Sequence, residues 1–288
     1  LLVLMSVSIR QCNSSKDSTY ESLLAFADQV KVINTHEHQH WPEEYGELNF
    51  RLPHLIKASY LMADVVSAGG PGMDWQMLDT ISLADYWNQC GEALNFTRNT
   101  SYYSHFIAGF QELYDFDDLY FSERNIPDLS AKVEANYSDY RSWFDKAFQR
   151  AGFELMFLDQ YWKPFNTEVD ESYFALAFNI NSLVTHVSYK PEGNYEGPEL
   201  FRMAGSEDFS INTLDDYLAY CELLFQRNLE KKAVCVKNSL AYQRSLDFEE
   251  VAYDMAKALF DRSSFHLTDT ERKKLLDFLF HWFIQKSV

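Results

Sequence analysis

Two hydrophobic periods divide the chain. Behind Ser18-Thr19-Tyr20-Glu21, which has the form of a capping box, Leu23, Leu24 and Ala27 recur at helical spacing and predict a helix to about Gln29. The period then shortens. Val30-Lys31-Val32-Ile33-Asn34-Thr35 is a β-branched run that predicts a buried strand, with His36, His38 and His40 at its C-terminal end. From about Tyr45 to Arg150 the spacing is helical throughout. Tyr102, Phe106, Phe110 and Leu113 form one stripe, and Asp128 to Phe148 carries Val133, Tyr137, Tyr140, Phe144 and Phe148 on another. This block reads as a helical insertion. Gly69-Gly70-Pro71-Gly72 inside it is a turn cluster and lacks the strand-Gly-helix context of a phosphate loop.

Beyond Gly152 strands and helices alternate. Apolar runs start at Phe153, Tyr173 and Lys232, and an amphipathic helix at Thr213 to Arg227 precedes the last of them. Two more helices follow: Phe248 to Arg262 with Val251, Met255 and Leu259 inward, and Thr270 to Gln285 with Leu275, Leu276, Leu279, Phe280 and Phe283 inward. Buried strands alternating with helices predict a parallel α/β sheet of four strands. The predicted organisation is a leader or tether over 1–17, a first helix and strand over 18–44, the insertion over 45–150 and further βα units over 151–288.

Composition agrees with a folded, helix-rich chain. Among 288 residues, 47% are hydrophobic, with 23 Phe, 18 Tyr and 6 Trp, but there are only 10 Gly and 7 Pro. Lys and Arg number 25 against 43 Asp and Glu, a net charge of −18 that repels nucleic acid and anionic lipid. No apolar run reaches the ~20 residues that cross a bilayer. Leu1-Leu2-Val3-Leu4-Met5-Ser6-Val7 resembles the apolar part of a secretory leader, and Cys12 before a polar tether resembles a lipidated cysteine. That reading implies a lipid anchor in a bacterial envelope or periplasm; an ordinary terminus implies the cytoplasm. Cys90, Cys221 and Cys235 lack metal-type spacing and read as buried thiols.

Two histidines two apart at a strand end point to one side, so His36 and His38 can offer nitrogens to one divalent ion. Three histidines crowded in a surface loop are the alternative. Lys237, ending the fourth strand, is costly there unless it meets an anion; otherwise it is a solvated loop lysine. Asp159, ending the second strand, can hold a ligand histidine in its tautomer or cap the next segment. His186 and Lys190 follow the third strand and face the same rim in this scheme; the alternative for each is an ordinary loop residue. His54, His105, His266 and His281 lie in contexts that need no chemical role.

At His36-Glu37-His38, preceded by Val-Ile-Asn-Thr, the sequence resembles the first metal-binding strand of the amidohydrolase superfamily, with Asn34 in place of the more usual aspartate. The insertion, with Tyr102-Tyr103 and Leu113-Tyr114-Asp115-Phe116, is similar to the region after the first strand in the amidohydrolase-related branch that includes uronate isomerases. Lys237-Asn238-Ser239-Leu240-Ala241-Tyr242-Gln243-Arg244 resembles a fourth-strand signature of that branch. The resemblance implies a partial (β/α)8 barrel of about four strands and a metal-dependent hydrolase of an amide, a lactone or a carboxylated small molecule. In it His36 and His38 hold a divalent metal, zinc by preference; Lys237, Arg244 and Asp159 act in catalysis, and Tyr102, Tyr103, Tyr242 and His186 bind substrate.

The family's later histidines and its eighth-strand aspartate have no counterpart here, so the chain reads as the N-terminal part of a longer protein, with an under-ligated metal and little or no activity of its own. Two alternatives stand beside the hydrolase. One is aldose–ketose isomerisation of a uronate on the same metal platform. The other is a non-catalytic half-barrel that binds a partner or assembles through its open edge.

Overall fold

The computed structural model describes residues 18–39, 50–185, 187, 199–262 and 267–288. The chain divides into two compact units, one built from residues up to Ile33 and from Gln39–Glu154, the other from Asn34–His38 and Leu155–Val288.

The first unit is helical. Helix α1 (Ser18–Ala27) leads to strand β1 (Val32–Glu37), which passes into the second unit at Asn34, and among the described residues seven helices follow: α2 (Leu52–Lys57), α3 (Leu61–Ser67), α4 (Trp75–Thr80), α5 (Leu83–Phe96), α6 (Ser101–Leu113), α7 (Ile126–Ser138) and α8 (Tyr140–Arg150). Side-chain oxygens start several of them. Asp74, Ser82 and Thr100 accept from Met77, Asp85 and Tyr103 N–H, satisfying donors that a first turn leaves open. Phe106, Phe110, Phe116 and Phe121 pack as edge-on and tilted rings in the core of this unit.

The glycine turn ends α3. Gly69 has φ +91°, and a Cβ on Gly70 would lie 2.7 Å from Val65 Cγ1 and 2.9 Å from Ala93 Cβ, so the turn seals α3 against α5. The stripe over 128–148 is interrupted. Asp139, at φ −129° and ψ 65°, leaves helical geometry and its carboxylate accepts from Ser142 N–H, which makes two helices of the expected one.

The sheet order is β1-β2-β3-β4, with β2 Phe153–Asp159, β3 Phe174–Asn179 and β4 Cys235–Lys237. β2 and β3 pair in parallel with Asp159 opposite Ala177, and β3 and β4 pair in parallel with Asn179 opposite Lys237. The parallel strands, with the helices between them, form the expected partial barrel. β3 is a fully apolar run up to Asn179, as a strand covered on both faces requires. β1 differs from its expected burial. Val32 and Ile33 are exposed, Ile33 at 51%, because β1 stands at one edge of the sheet.

Helices α9 (Asn181–Thr185), α10 (Glu199–Ser206), α11 (Leu214–Glu230), α12 (Tyr253–Phe260) and α13 (Asp269–Lys286) complete the second unit. Its core joins Phe178 and Ile180 of the β3 end to Tyr217, Cys221 and Phe225 of α11 and Leu279 and Phe283 of α13. Cys90 and Cys221 are buried thiols; Cys235 is half-buried. α12 starts at Tyr253, five residues later than the pattern predicts, and Met255 is 47% exposed. The reason lies upstream. Phe248 stacks on Phe280 at 3.8 Å and Glu249 N–H is held by Asp277 Oδ2, which keeps this stretch out of the helix. Among the described residues no helix is long and apolar enough to cross a membrane.

This packing makes three stability predictions. G70A forces a Cβ into Val65 and Ala93 and should cost ~1–3 kcal/mol in urea unfolding. At the start of α13, Thr268 and Glu271 form a reciprocal capping box, so T268A should cost ~1 kcal/mol. Hydrogen bonding, first from Arg262 and then from Thr268, holds the Glu271 carboxyl down at about 2. A depressed carboxyl stabilises the fold above its ordinary pKa of 4.5 and loses that contribution as pH falls toward 2. The stability gap between wild type and E271Q should therefore be largest near neutrality and close between pH 4.5 and 2.

Candidate metal centre

Everything described at this site belongs to the second unit. At the end of β1 strand alternation sends His36 and His38 to one side, and their Nε2 atoms converge to 3.0 Å with the rings edge to face. The intervening Glu37 is buried and holds the backbone. Its Oε1 accepts His38 N–H at 2.8 Å, its Oε2 accepts from Asn34 Nδ2 at 2.9 Å, and Asn34 Oδ1 accepts His36 N–H at 3.1 Å. Asparagine is therefore the residue Glu37 needs at position 34, since an aspartate would set one carboxylate against another.

His38 is oriented from its far side. Its Nδ1 lies 3.0 Å from the Asp159 backbone carbonyl, which can only accept. Nδ1 must then carry the proton, leaving the Nε2 lone pair directed at His36. The Asp159 carboxylate adds a second interaction, with Oδ2 3.7 Å from the same nitrogen. Tyr161 packs edge-on against the His38 ring at 5.2 Å.

Lys237 closes the group. Its Nζ lies 3.5 Å from Nδ1 and 3.4 Å from Nε2 of His36, nearly equidistant, so the ammonium faces the ring as a whole rather than one lone pair. Partial desolvation, then the Lys237 and His38 charges, push the His36 pKa below its ordinary value and favour the neutral imidazole.

The two Nε2 atoms suit a shared cation. Nitrogens each ~2.0–2.1 Å from one ion, at about a right angle, stand ~3 Å apart, and an outer Nδ1–H bond to a carbonyl is what orients a ligand histidine. Among the described residues no group of three His, Cys, Asp or Glu side chains gathers to hold a metal. The described platform is a two-imidazole one.

His36, His38, Asp159 and Lys237 are thus brought together. The other expected residues are placed differently. Arg244 is bound to the buried carboxylate of Asp277 and stacks over Phe248 at 4.5 Å, so its guanidinium anchors the loop after β4 to α13. Tyr242, in a single 3-10 turn (Leu240–Tyr242), is 87% exposed. Tyr102 and Tyr103 lie on α6 in the helical unit. Tyr102 stacks on Tyr60 at 5.3 Å; Tyr103 is buried and its hydroxyl accepts Phe121 N–H at 2.9 Å. His186, Lys190, His40 and Cys12 lie outside the described residues. Of the histidines set aside, His54 is buried, with Nδ1 accepting Arg51 N–H and Nε2 beside Asp79.

Sequence reasoning missed the polar residues behind the site. Glu37 was passed over between two histidines. Asn179, Asn181 and Ser239 join the ends of β2, β3 and β4 through side-chain hydrogen bonds. The only local signal was an asparagine ending the apolar run Phe174-Ala175-Leu176-Ala177-Phe178.

No protein-family model matches the chain, and no curated protein is similar enough to be matched. Solved structures do match. A glucuronate isomerase from Caulobacter crescentus superposes with a TM-score of 0.70 over 95% of this chain and 59% of its own, at 13% identity. A uronate isomerase from Thermotoga maritima does so with a TM-score of 0.64 over 90% of this chain and 57% of its own, at 12% identity. The chain thus spans less than two thirds of the length of either protein. These likenesses correct the hydrolase expectation. His-X-His at a strand end does not say which bond reacts, and the two solved structures described above are isomerases. The fold is one seen in uronate isomerases, the branch to which the insertion and the fourth-strand segment pointed.

Proposed function

We propose that this rim is the metal platform of an aldose–ketose isomerase acting on a uronate or a closely related sugar acid. The convergence of His36 and His38 Nε2 to 3.0 Å, within a fold shared with two uronate isomerases, carries the reading. A divalent ion held by these two nitrogens, zinc being a suitable one, would supply Lewis-acid polarisation of a sugar carbonyl and the neighbouring hydroxyl. The reaction moves a proton from C2 to C1 while the C2 hydroxyl becomes a carbonyl and the aldehyde oxygen a hydroxyl, so it needs no oxidant or reductant.

The chain's own groups serve that chemistry in distinct ways. Asp159 keeps His38 in the tautomer that frees Nε2. Lys237 stands too close to His36 to serve the far carboxylate of an open-chain hexuronate, whose ends are roughly 6 Å apart at ~1.5 Å per C–C bond. Its ammonium instead faces the oxygens at C1 and C2, where negative charge grows as the C2 proton leaves. It is the catalytic cation of this scheme.

Among the described residues two nitrogens face the metal position, which under-ligates it, so exchange at C2 is the sensitive readout. Zinc- or manganese-loaded protein incubated with glucuronate or galacturonate in D2O should incorporate deuterium with slow ketose formation, followed by proton NMR. H36A and H38A should abolish it. K237M should lower the rate about 10²-fold while calorimetry still records metal binding. Wild type indistinguishable from H38A for both sugars would overturn the proposal.

A further inference from the structure

Behind the imidazoles runs a polar chain, buried at Asp159 and Asn179 and half-buried at Asn181 and Ser239. Asn179, the last residue of β3, is 3% exposed, as is Asp159 at the end of β2. Asn179 Nδ2 donates to Asp159 Oδ1 at 2.7 Å, and Asn179 Oδ1 accepts Asn181 N–H at 2.9 Å. Asn181 continues the chain toward β4, with Nδ2 donating to Ser239 Oγ at 2.6 Å and Oδ1 accepting Ser239 N–H at 2.7 Å. Ile180 N–H donates to the Lys237 carbonyl at 3.0 Å. One end of this chain, Asp159, thus lies behind His38, and the other, Ser239, stands two residues past Lys237, whose ammonium is beside His36.

The chemistry at position 179 is restrictive. One side chain must donate to a buried carboxylate and accept from a backbone N–H at once, which an amide does and a carboxylate or hydrocarbon of similar size does not. Removing the donor leaves a buried carboxylate oxygen unpaired, and the Asp159 carboxylate is then free to turn. Its Oδ2 would leave its place 3.7 Å from His38 Nδ1, and the strand end whose carbonyl accepts the Nδ1–H would lose its lateral tie.

We infer that Asn179 is a positioning residue for the metal platform: acting through Asp159, it keeps His38 in the Nδ1–H tautomer with Nε2 directed at the site. The inference rests on reading His36 and His38 as metal ligands, and its direct readout needs neither metal nor turnover. In metal-free wild type, nitrogen-15 correlation spectra should show His38 as a single Nδ1–H tautomer, with H38A identifying the signals. N179L should give a mixture of tautomers at His38, and zinc affinity measured by calorimetry should fall about 10-fold.

L224A, which empties a buried position in the middle of α11, is the control for destabilisation alone. It should lower stability yet leave the tautomer and the zinc affinity as in wild type. If N179L does not fold, N179A removes the amide with less bulk, and the same changes are expected. Unchanged tautomer and zinc affinity in a folded Asn179 variant would overturn the inference. Failure of the isotope-exchange assay beside a shifted tautomer would remove the isomerase reading and leave this one standing.

Discussion

A strand turns alternate side chains to opposite faces, and at the end of β1 that parity decides the chemistry available. His36 and His38 share a face, Glu37 takes the other, and the Glu37 carboxylate folds back to hold both His38 N–H and the Asn34 amide. The convergence of the two imidazoles is therefore set by backbone geometry and one buried acid before any cation is considered. A slip of one residue in β1 would replace two soft nitrogen donors by one carboxylate, and the platform would be lost.

Convergence alone does not make a ligand pair, because an imidazole has two nitrogens and its proton can sit on either. The second constraint comes from β2, whose terminal carbonyl takes the His38 Nδ1–H. It comes from β3 as well, where Asn179 secures the Asp159 side chain in surroundings with almost no water. A low-dielectric setting strengthens such bonds and raises the cost of leaving one unmade, so a buried amide between two strand ends is a stiff joint. Lys237 is placed by backbone pairing, since the three-residue β4 runs beside Ala177 to Asn179 and the Lys237 carbonyl accepts Ile180 N–H.

What could be read from the sequence follows from the range of the interactions. The His36 and His38 pairing, the strand-end position of Asp159 and the helical stripes depend on spacings of two to four residues, and the pattern carries them. Asp139 breaks a helix through its own backbone angles and a capping bond three residues away, a local event that a continuous aromatic stripe conceals. Arg244 lies seven residues beyond Lys237 in a segment read as catalytic, yet the buried Asp277, 33 residues on, claims its guanidinium. The bonds from Asn181 to Ser239 span 58 residues and exist because β3 and β4 are neighbours, which no local pattern encodes. The reaction class was the least legible feature, since hydrolysis and isomerisation can use the same two imidazoles.

Net charge places a further demand on the site. A chain carrying −18 repels a uronate, yet at physiological salt that field decays over ~8 Å, so at contact range the local cation outweighs the distant carboxylates. Lys237 is well suited to this, because none of its described interactions is an ion pair with a carboxylate and its ammonium stays available on the histidine side of the sheet. A lysine beside two imidazoles proposed to hold a metal would ordinarily oppose a cation there. In the proposed isomerase reading that opposition is offset where substrate oxygens lie between the two positive centres.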